Sequence, residues 1–327
     1  MATEAAGRLA RVGRASERGT LRQRVWAARW CYLFMAPNLL LAGMFTFYPA
    51  VASWYFSLLQ WTGFSAERHF IGLDNYREVM RDAFFWDAFQ RSFLFMFAVV
   101  PVQLGLALAI ALVLNDRALK LAPVFRTMFF IPVVTTAAIV GIVMQFVLSP
   151  FNGPVNKALS GLDLIAAPID FLGDPGIALW SVSGVYVWKW LGITMIYWLA
   201  ALQVIPVELY EAARVDGAGR WRLHRDITVP LILPFAAIIA LITAIGALNV
   251  FPLVQTMTGG GPFFATEVME IYIYRTAFGT EGGIPRLGYA SAAGVWFGIC
   301  VTLVALMQGW AARKANATRR ELTGGAR

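Results

Sequence analysis

The sequence predicts an all-α protein, a polytopic bundle of six transmembrane helices. Composition is the first reason. Of the 327 residues, 59% are hydrophobic and 14% charged, whereas soluble globular chains carry about 25% charged residues. The second reason is the spacing of apolar windows. A spanning helix needs roughly 20 apolar residues. Windows 32–59, 92–114, 127–148, 227–266 and 287–312 contain no Asp, Glu, Lys or Arg, and 177–204 contains only Lys189. The 227–266 window is long enough for one span and a loop, so the count is six.

Residues 1–29 form a basic tail, 30–312 the membrane domain and 313–327 a second tail. Residues 1–24 lack apolar periodicity and are expected to be disordered or interfacial. The first apolar segment is too long for a cleaved signal peptide, and no small-residue cleavage pattern ends it. Span one holds Pro37 and Pro49 and closes on Trp54, Tyr55, Phe56 and Trp61, residues suited to a membrane interface. Beyond it, Asp74 is placed to cap a short surface helix, with Phe84, Phe85, Trp86 and Phe89 as its apolar side. The 149–176 stretch is rich in Pro and Gly and reads as irregular. Cys31 and Cys300 lie at opposite ends of the chain, and neither a disulfide nor a metal site is expected.

The net charge is +8, and its placement sets the orientation. Arg8, Arg11, Arg14, Arg18, Arg22, Arg24 and Arg29 precede span one. Arg117, Lys120 and Arg126 follow span two, Arg214, Arg220, Arg222 and Arg225 follow span four, and Arg313, Lys314, Arg319, Arg320 and Arg327 follow span six. The alternate loops carry fewer basic residues. Positive charge accumulates on the cytoplasmic side, so both termini and the 205–227 loop are expected there, in a multi-pass plasma-membrane protein. The same flanking pattern argues for contact with membrane lipid and against a nucleic-acid-binding patch.

The 205–227 loop is polar and rich in small residues, though both neighbours are apolar enough for a bilayer. Pro206 fits a first helical position, and Glu208 lies in the turn where the helix dipole favours negative charge. Leu209, Ala212 and Ala213 share a face on which another surface can approach closely. Gly217 and Gly219 turn the chain, and residues 221–226 start a second helix leading into span five, where Pro230 costs little. Helix, glycine turn, helix is a shape that fits a cleft.

Glu211-Ala212-Ala213, Gly217, Ile227 and Pro230 follow the spacing E-A-A-x3-G-x9-I-x-hydrophobic-P. That pattern resembles the coupling-loop motif of binding-protein-dependent ABC transporter permeases, with Val229 where the family writes Leu. Between about Arg29 and Gln308, further segments are similar to the first-type permease of carbohydrate ABC importers, the group of the maltose and glycerol-3-phosphate permeases. They are Tyr32-Leu33-Phe34 with Pro37, Gly72-Leu73-Asp74-Asn75-Tyr76, Phe125-Arg126-Thr127 with Pro132, and Trp188-Lys189-Trp190-Leu191-Gly192. Thr258-Gly259-Gly260-Gly261-Pro262 and Tyr272–Phe278 with Gly288–Ala292 complete the set.

The resemblance implies a type I importer fold that works by alternating access. It also implies a second homologous permease, two ATPase subunits and an extracytoplasmic substrate-binding protein. Glu211 would anchor to an ATPase, Ala212 and Ala213 would make the close contact, Gly217 would shape the turn, and Asp216 would be a second anchor. Ile227 and Pro230 complete the coupling set. The chain is expected to be no enzyme itself and to bind no cofactor, ATP and Mg belonging to the partner. In agreement, it contains no G-x4-G-K-[ST] phosphate loop, and Gly259–Gly261 reads as an outer turn.

For the cargo, small or polar residues within spans are the candidates. Asn249 reads as a buried amide in an apolar span. Thr135 and Thr136 follow Pro132, where a helix can open. Gly192, beside Trp188, Trp190 and Thr194, matches the family segment that faces the path, and Leu191, Met195 and Phe251 join the path candidates. Glycine in a span also marks helix packing. Lys189, between Trp188 and Trp190, is expected to serve structure by snorkelling or lying over a ring. Other solutes stay open: a glycerol phosphodiester, a polyol or a modified oligosaccharide. A phosphate would need a basic residue on the path, and Lys189 alone qualifies. A proton- or sodium-coupled carrier would need paired carboxylates or histidines in the spans, and His69 and His224 fall in loops. A membrane enzyme would need a His, Cys, Asp or Glu cluster, which the spacing does not offer.

Overall fold

The computed structural model describes residues 26, 28–116, 119–279 and 283–324, the side chains of Arg220 and 311–324 excepted. The expectation for residues 1–24 lies outside these. The chain divides into two compact units between Phe56 and Ser57.

Nearly all the described residues of the first unit form one apolar helical run, Arg29–Phe56. It comprises α1 (Arg29–Ala42), a π-helical turn (Gly43–Phe47) and α2 (Tyr48–Phe56). Pro49 explains the wide turn. It has no N–H for the Phe45 carbonyl, and its ring crowds that carbonyl. The backbone relaxes outward, and the Tyr48 N–H bonds Gly43 O instead.

The second unit starts with a two-residue ribbon, β1 (Leu59–Gln60) against β2 (His69–Phe70), antiparallel with Leu59 opposite Phe70. Helix α3 (Asp74–Val79) follows. Asp74 sits in its first turn without capping it. The cap belongs to Asp82, whose Oδ1 accepts from Phe84 N at 2.9 Å. Helix α4 (Ala83–Leu114) begins there, so Phe84, Phe85, Trp86 and Phe89 belong to the second span and not to a separate surface helix. Asp87 and Arg91 hid its first turns from a charge-free window. At 32 residues it is ~48 Å long, against roughly 30 Å of hydrocarbon.

The third apolar window is not one straight helix. It forms α5 (Ala122–Val134) and α6 (Ala137–Val147), bent 98° at Thr135 and Thr136. The described residues thus hold five helices long and apolar enough to cross a membrane, or six if this bent pair is one span. The 149–176 stretch is less irregular than its composition suggests, because α7 (Pro154–Gly161) lies within it. Buried Asn156 ties that loop together, donating to Ser149 O and Ile169 O and accepting from Ile169 N. Helix α8 (Ala178–Gln203) is the fourth span. Next come α9 (Val207–Val215), α10 (Arg220–Leu223), a second π-helical turn (His224–Thr228) and α11 (Val229–Leu248). The chain breaks at Asn249 and resumes in α12 (Phe251–Met257) and α13 (Met269–Phe278). Helix α14 (Leu287–Gly324) is the last described element, and its part Leu287–Trp310 is long and apolar enough to cross a membrane.

Packing in this unit rests on two apolar clusters. One gathers Phe85, Phe95, Val99, Tyr186, Val254 and Met269. The other gathers Ala107, Ala111, Met195, Trp198, Leu202 and Ile239. Small residues let spans approach closely. Ala107 and Ala111 do so on α4, and Gly192 does so on α8, where an added Cβ would strike the Phe129 carbonyl of α5. Gln103 on α4 adds a polar tie, its Nε2 donating to Thr194 Oγ1 at 2.7 Å.

A polar network joins α4, α13 and α14. Tyr272 and Tyr289 each donate to Asp82 Oδ2, at 2.5 and 2.7 Å, and Arg286 forks onto Glu78 at 2.8 and 2.6 Å. Burial pushes the Asp82 carboxyl up, but the two tyrosine hydroxyls and the Phe84 N–H outweigh it, so it titrates below its ordinary 3.8. A folded-state value below the unfolded one stabilises fully above 3.8 and is lost as pH falls through the lower value. The unfolding midpoint of the solubilised protein should therefore drop more steeply on acidification in wild type than in Asp82→Asn. Equal slopes in the two proteins would rule this out.

Candidate functional site

The 205–227 loop folds into α9, a glycine turn and α10. Pro206 is the N-cap, one position earlier than the sequence suggested. The turn is a complete Schellman motif. Ala218 N–H bonds Ala213 O at 2.9 Å and Gly217 N–H bonds Arg214 O at 3.0 Å. It needs a left-handed residue after the cap, and Gly217 supplies it at φ +79°. No residue of α9 is fully buried. Glu211, Ala212 and Asp216 are exposed and Ala213 half-buried. Among the described side chains, Glu211 and Asp216 have neither an ion-pair nor a hydrogen-bond partner.

What anchors the loop is its other side. Tyr210 packs with Ile227 and Leu231 onto the second apolar cluster. Its hydroxyl lies 2.9 Å from Thr228 Oγ1. Pro230 sits in the first turn of α11. It repeats the arrangement seen at Pro49: a π-helical turn ends two residues before it, and Val229 N–H bonds His224 O. Ile227 and Pro230 thus shape the base of span five.

The second set of candidates falls at two helix breaks. Thr135 is half-buried and Thr136 exposed, between α5 and α6. The α5 carbonyls at this break have lost their helical partners. Lys189, 1% exposed, reaches them from α8. Its Nζ donates to Thr135 O at 2.7 Å, Pro132 O at 3.2 Å and Val133 O at 3.4 Å, and lies 4.3 Å from the Trp190 ring centre. Lys189 is therefore a clamp on the break and lies over a ring, as expected of a structural role.

Asn249 is the second break, and here the expectation needs correcting. It is exposed, not buried in mid-span. It ends α11, with its Nδ2 on Ile245 O at 2.8 Å. Pro252 has no N–H for the Leu248 carbonyl, and the backbone leaves the helix at Asn249, φ −108° and ψ 66°. Half-buried Phe251 starts α12, donating its N–H to Glu270 Oε2 at 2.6 Å. Sequence reasoning missed Glu270, because its partner is a backbone group 19 residues away. The half-helices beyond the two breaks pack together, with Gly141 of α6 beneath Thr256 of α12 and Gln145 Nε2 on Met257 O at 3.2 Å. Of the other candidates, Trp188 is exposed and Leu191 half-buried, whereas Gly192 and Met195 are buried between helices.

Residues 81–316 match the model of the binding-protein-dependent transport system inner membrane component family. The chain belongs to that family. Its relatives agree. A probable ABC transporter permease of Bacillus subtilis, YurN, is 36% identical over 278 residues, covering 85% of this permease and 94% of the relative. The lactose transport system permease LacF of Rhizobium radiobacter is 33% identical, covering 86% and 94%. The sn-glycerol-3-phosphate permease UgpA of Pectobacterium atrosepticum is 26% identical, covering 89% and 97%. In structure, the permease resembles a chain of a bacterial ABC transporter that imports the acidic polysaccharide alginate, with TM-score 0.76, 25% identity, and 90% and 98% coverage. The type I importer fold and a multi-pass membrane location follow.

Proposed function

We propose that this permease carries a sugar or oligosaccharide inward across the plasma membrane, with ATP hydrolysed by separate subunits that grip α9. The observation that carries this reading is the exposed Glu211 face on a rigid Schellman-ended helix between two spans. A membrane protein that leaves a carboxylate and an alanine exposed there, with Ala213 half-exposed beside them, offers a surface for another chain. The charge asymmetry puts α9 and both termini in the cytoplasm. A second homologous permease, two ATPase subunits and an extracytoplasmic binding protein complete the assembly, and ATP with Mg is held by the ATPases. Surrounding lipid covers the remaining apolar faces.

Support for a sugar comes from relatives named for lactose, trehalose/maltose and diacetylchitobiose. The glycerol-3-phosphate relative raises a second reading. A phosphate needs a free basic group on its path, and Lys189 is already spent on three carbonyls. Asn249, Thr136, Trp188 and Phe251 are the path residues best placed to meet a polyhydroxylated cargo. The partner binding protein, screened against a panel of sugars and glycerol phosphates, should select a sugar. Vesicles containing the full complex should then take up that sugar only with internal ATP and the binding protein. Selection of a glycerol phosphate, or uptake driven by an ion gradient, would refute this reading.

A further inference from the structure

The coupling loop poses a mechanical problem. A push received at Glu211 must reach span five, yet the chain between them passes through Gly217 and Gly219. Gly217 is held in a left-handed turn with nothing packed where a Cβ would sit, and the same space is empty at Gly219. Glycine turns bend easily, so the covalent route absorbs motion.

A second route bypasses the turn. Thr228, 1% exposed, closes the π-helical turn at the base of α11. Its hydroxyl donates to Leu223 O at 3.3 Å. The Tyr210 hydroxyl lies 2.9 Å from it, either oxygen able to donate to the other, and His224 Nδ1 lies 3.4 Å away. The bond spans 18 residues of sequence. It ties α9 to the chain beyond the glycine turn. Tyr210, Ile227 and Leu231 all pack on the second apolar cluster, so both sides of the contact rest on the same core. Pro230 supports the arrangement, because the wide turn it imposes brings Thr228 round to face α9.

We propose that Tyr210 and Thr228 are positioning residues that carry the displacement of α9 into span five. The inference rests on the importer reading of the same loop. Motion enters at the Glu211 face, crosses the Tyr210–Thr228 hydroxyl pair, and reaches α11 without loading the glycine turn.

The test uses the whole complex in vesicles and reads ATP hydrolysed per solute imported. Tyr210→Phe keeps the ring and removes the bond, and Thr228→Val keeps the shape and removes the hydroxyl. A net hydrogen bond corresponds to about a fivefold change in an equilibrium. Each variant should raise the ATP cost per solute by about that factor. The double variant should be no worse than either single one, and Thr228→Ser should restore the wild-type ratio. A purely structural role would lower the amount of complex without moving the ratio. Unchanged ratios, or effects that multiply in the double variant, would overturn the proposal.

A cargo-free reading separates this inference from the choice of solute. In complex with Cys31 and Cys300 replaced by Ser, spin labels at exposed Val207 and Ile238 report the α9–α11 distance. ATP binding should leave that distance fixed in wild type and shift it in Tyr210→Phe. Identical behaviour of the two proteins would defeat the latch even if uptake is confirmed. If no sugar is imported but the distances behave as expected, the latch stands and the cargo assignment fails.

Discussion

Glu211→Lys abolishes ATP-driven uptake while the permease still accumulates in the membrane. Glu211 is exposed and its side chain has no hydrogen-bond or ion-pair partner among the described residues, so replacing it takes little from the fold. The helix around it depends on the Schellman turn and on Tyr210, neither of which the substitution touches. Its effect is therefore confined to whatever docks on α9. Losing one partner of a desolvated charge pair costs about 2–5 kcal/mol, and even 2 kcal/mol is roughly thirtyfold in affinity. The charge reversal adds repulsion. The assembled ATPases should dissociate from the variant on purification, and Glu211→Gln should fall between it and wild type. Gly217→Val should fail in the same assay for a different reason. It puts a β-branched residue at φ +79°, a conformation such residues rarely adopt. Wild-type uptake by Glu211→Lys would remove α9 as the ATPase contact.

Lys189→Met destabilises the permease itself. The side chain has similar length, but the Thr135, Pro132 and Val133 carbonyls lose their donor in a site that water does not reach. Hydrogen bonds from charged groups contribute about 1.5–3 kcal/mol, and a carbonyl left unpaired in the bilayer interior adds its own penalty. The 98° bend between α5 and α6 would then lack its clamp. The unfolding midpoint in detergent should fall by several degrees, about what 2 kcal/mol produces in a protein of this size. Lys189→Arg keeps the donors and should recover much of the loss. An unaltered midpoint in Lys189→Met would show that the break is held by other contacts.

Much of this protein can be read from its residues because the bilayer leaves few choices. Apolar windows gave the spans wherever charge was absent. They misplaced the start of α4, because Asp87 and Arg91 lie in a part of the helix longer than the hydrocarbon layer. The coupling loop was legible because its structure is local. Gly217 supplies the positive φ a Schellman turn needs, and Pro230 forces the turn before it. Asn249 was misjudged for the opposite reason. An amide in an apolar run looks buried until the chain is seen to break beside it. Glu270 was invisible, since its partner is a backbone N–H that only the fold brings near. Lys189 was noticed for its charge, but the three carbonyls it serves belong to a different span. Gly192 was a candidate for the cargo path, and nothing in its sequence neighbourhood showed that the Phe129 carbonyl lies against it.

The central claim is that α9 meets a separate ATPase through Glu211. A photoreactive residue at position 211, activated in the intact complex, tests that contact directly. The expected product is an adduct with the ATPase subunit that changes in yield when ATP binds. An adduct formed only with lipid or with the second permease, the ATPase being present and active, would contradict it.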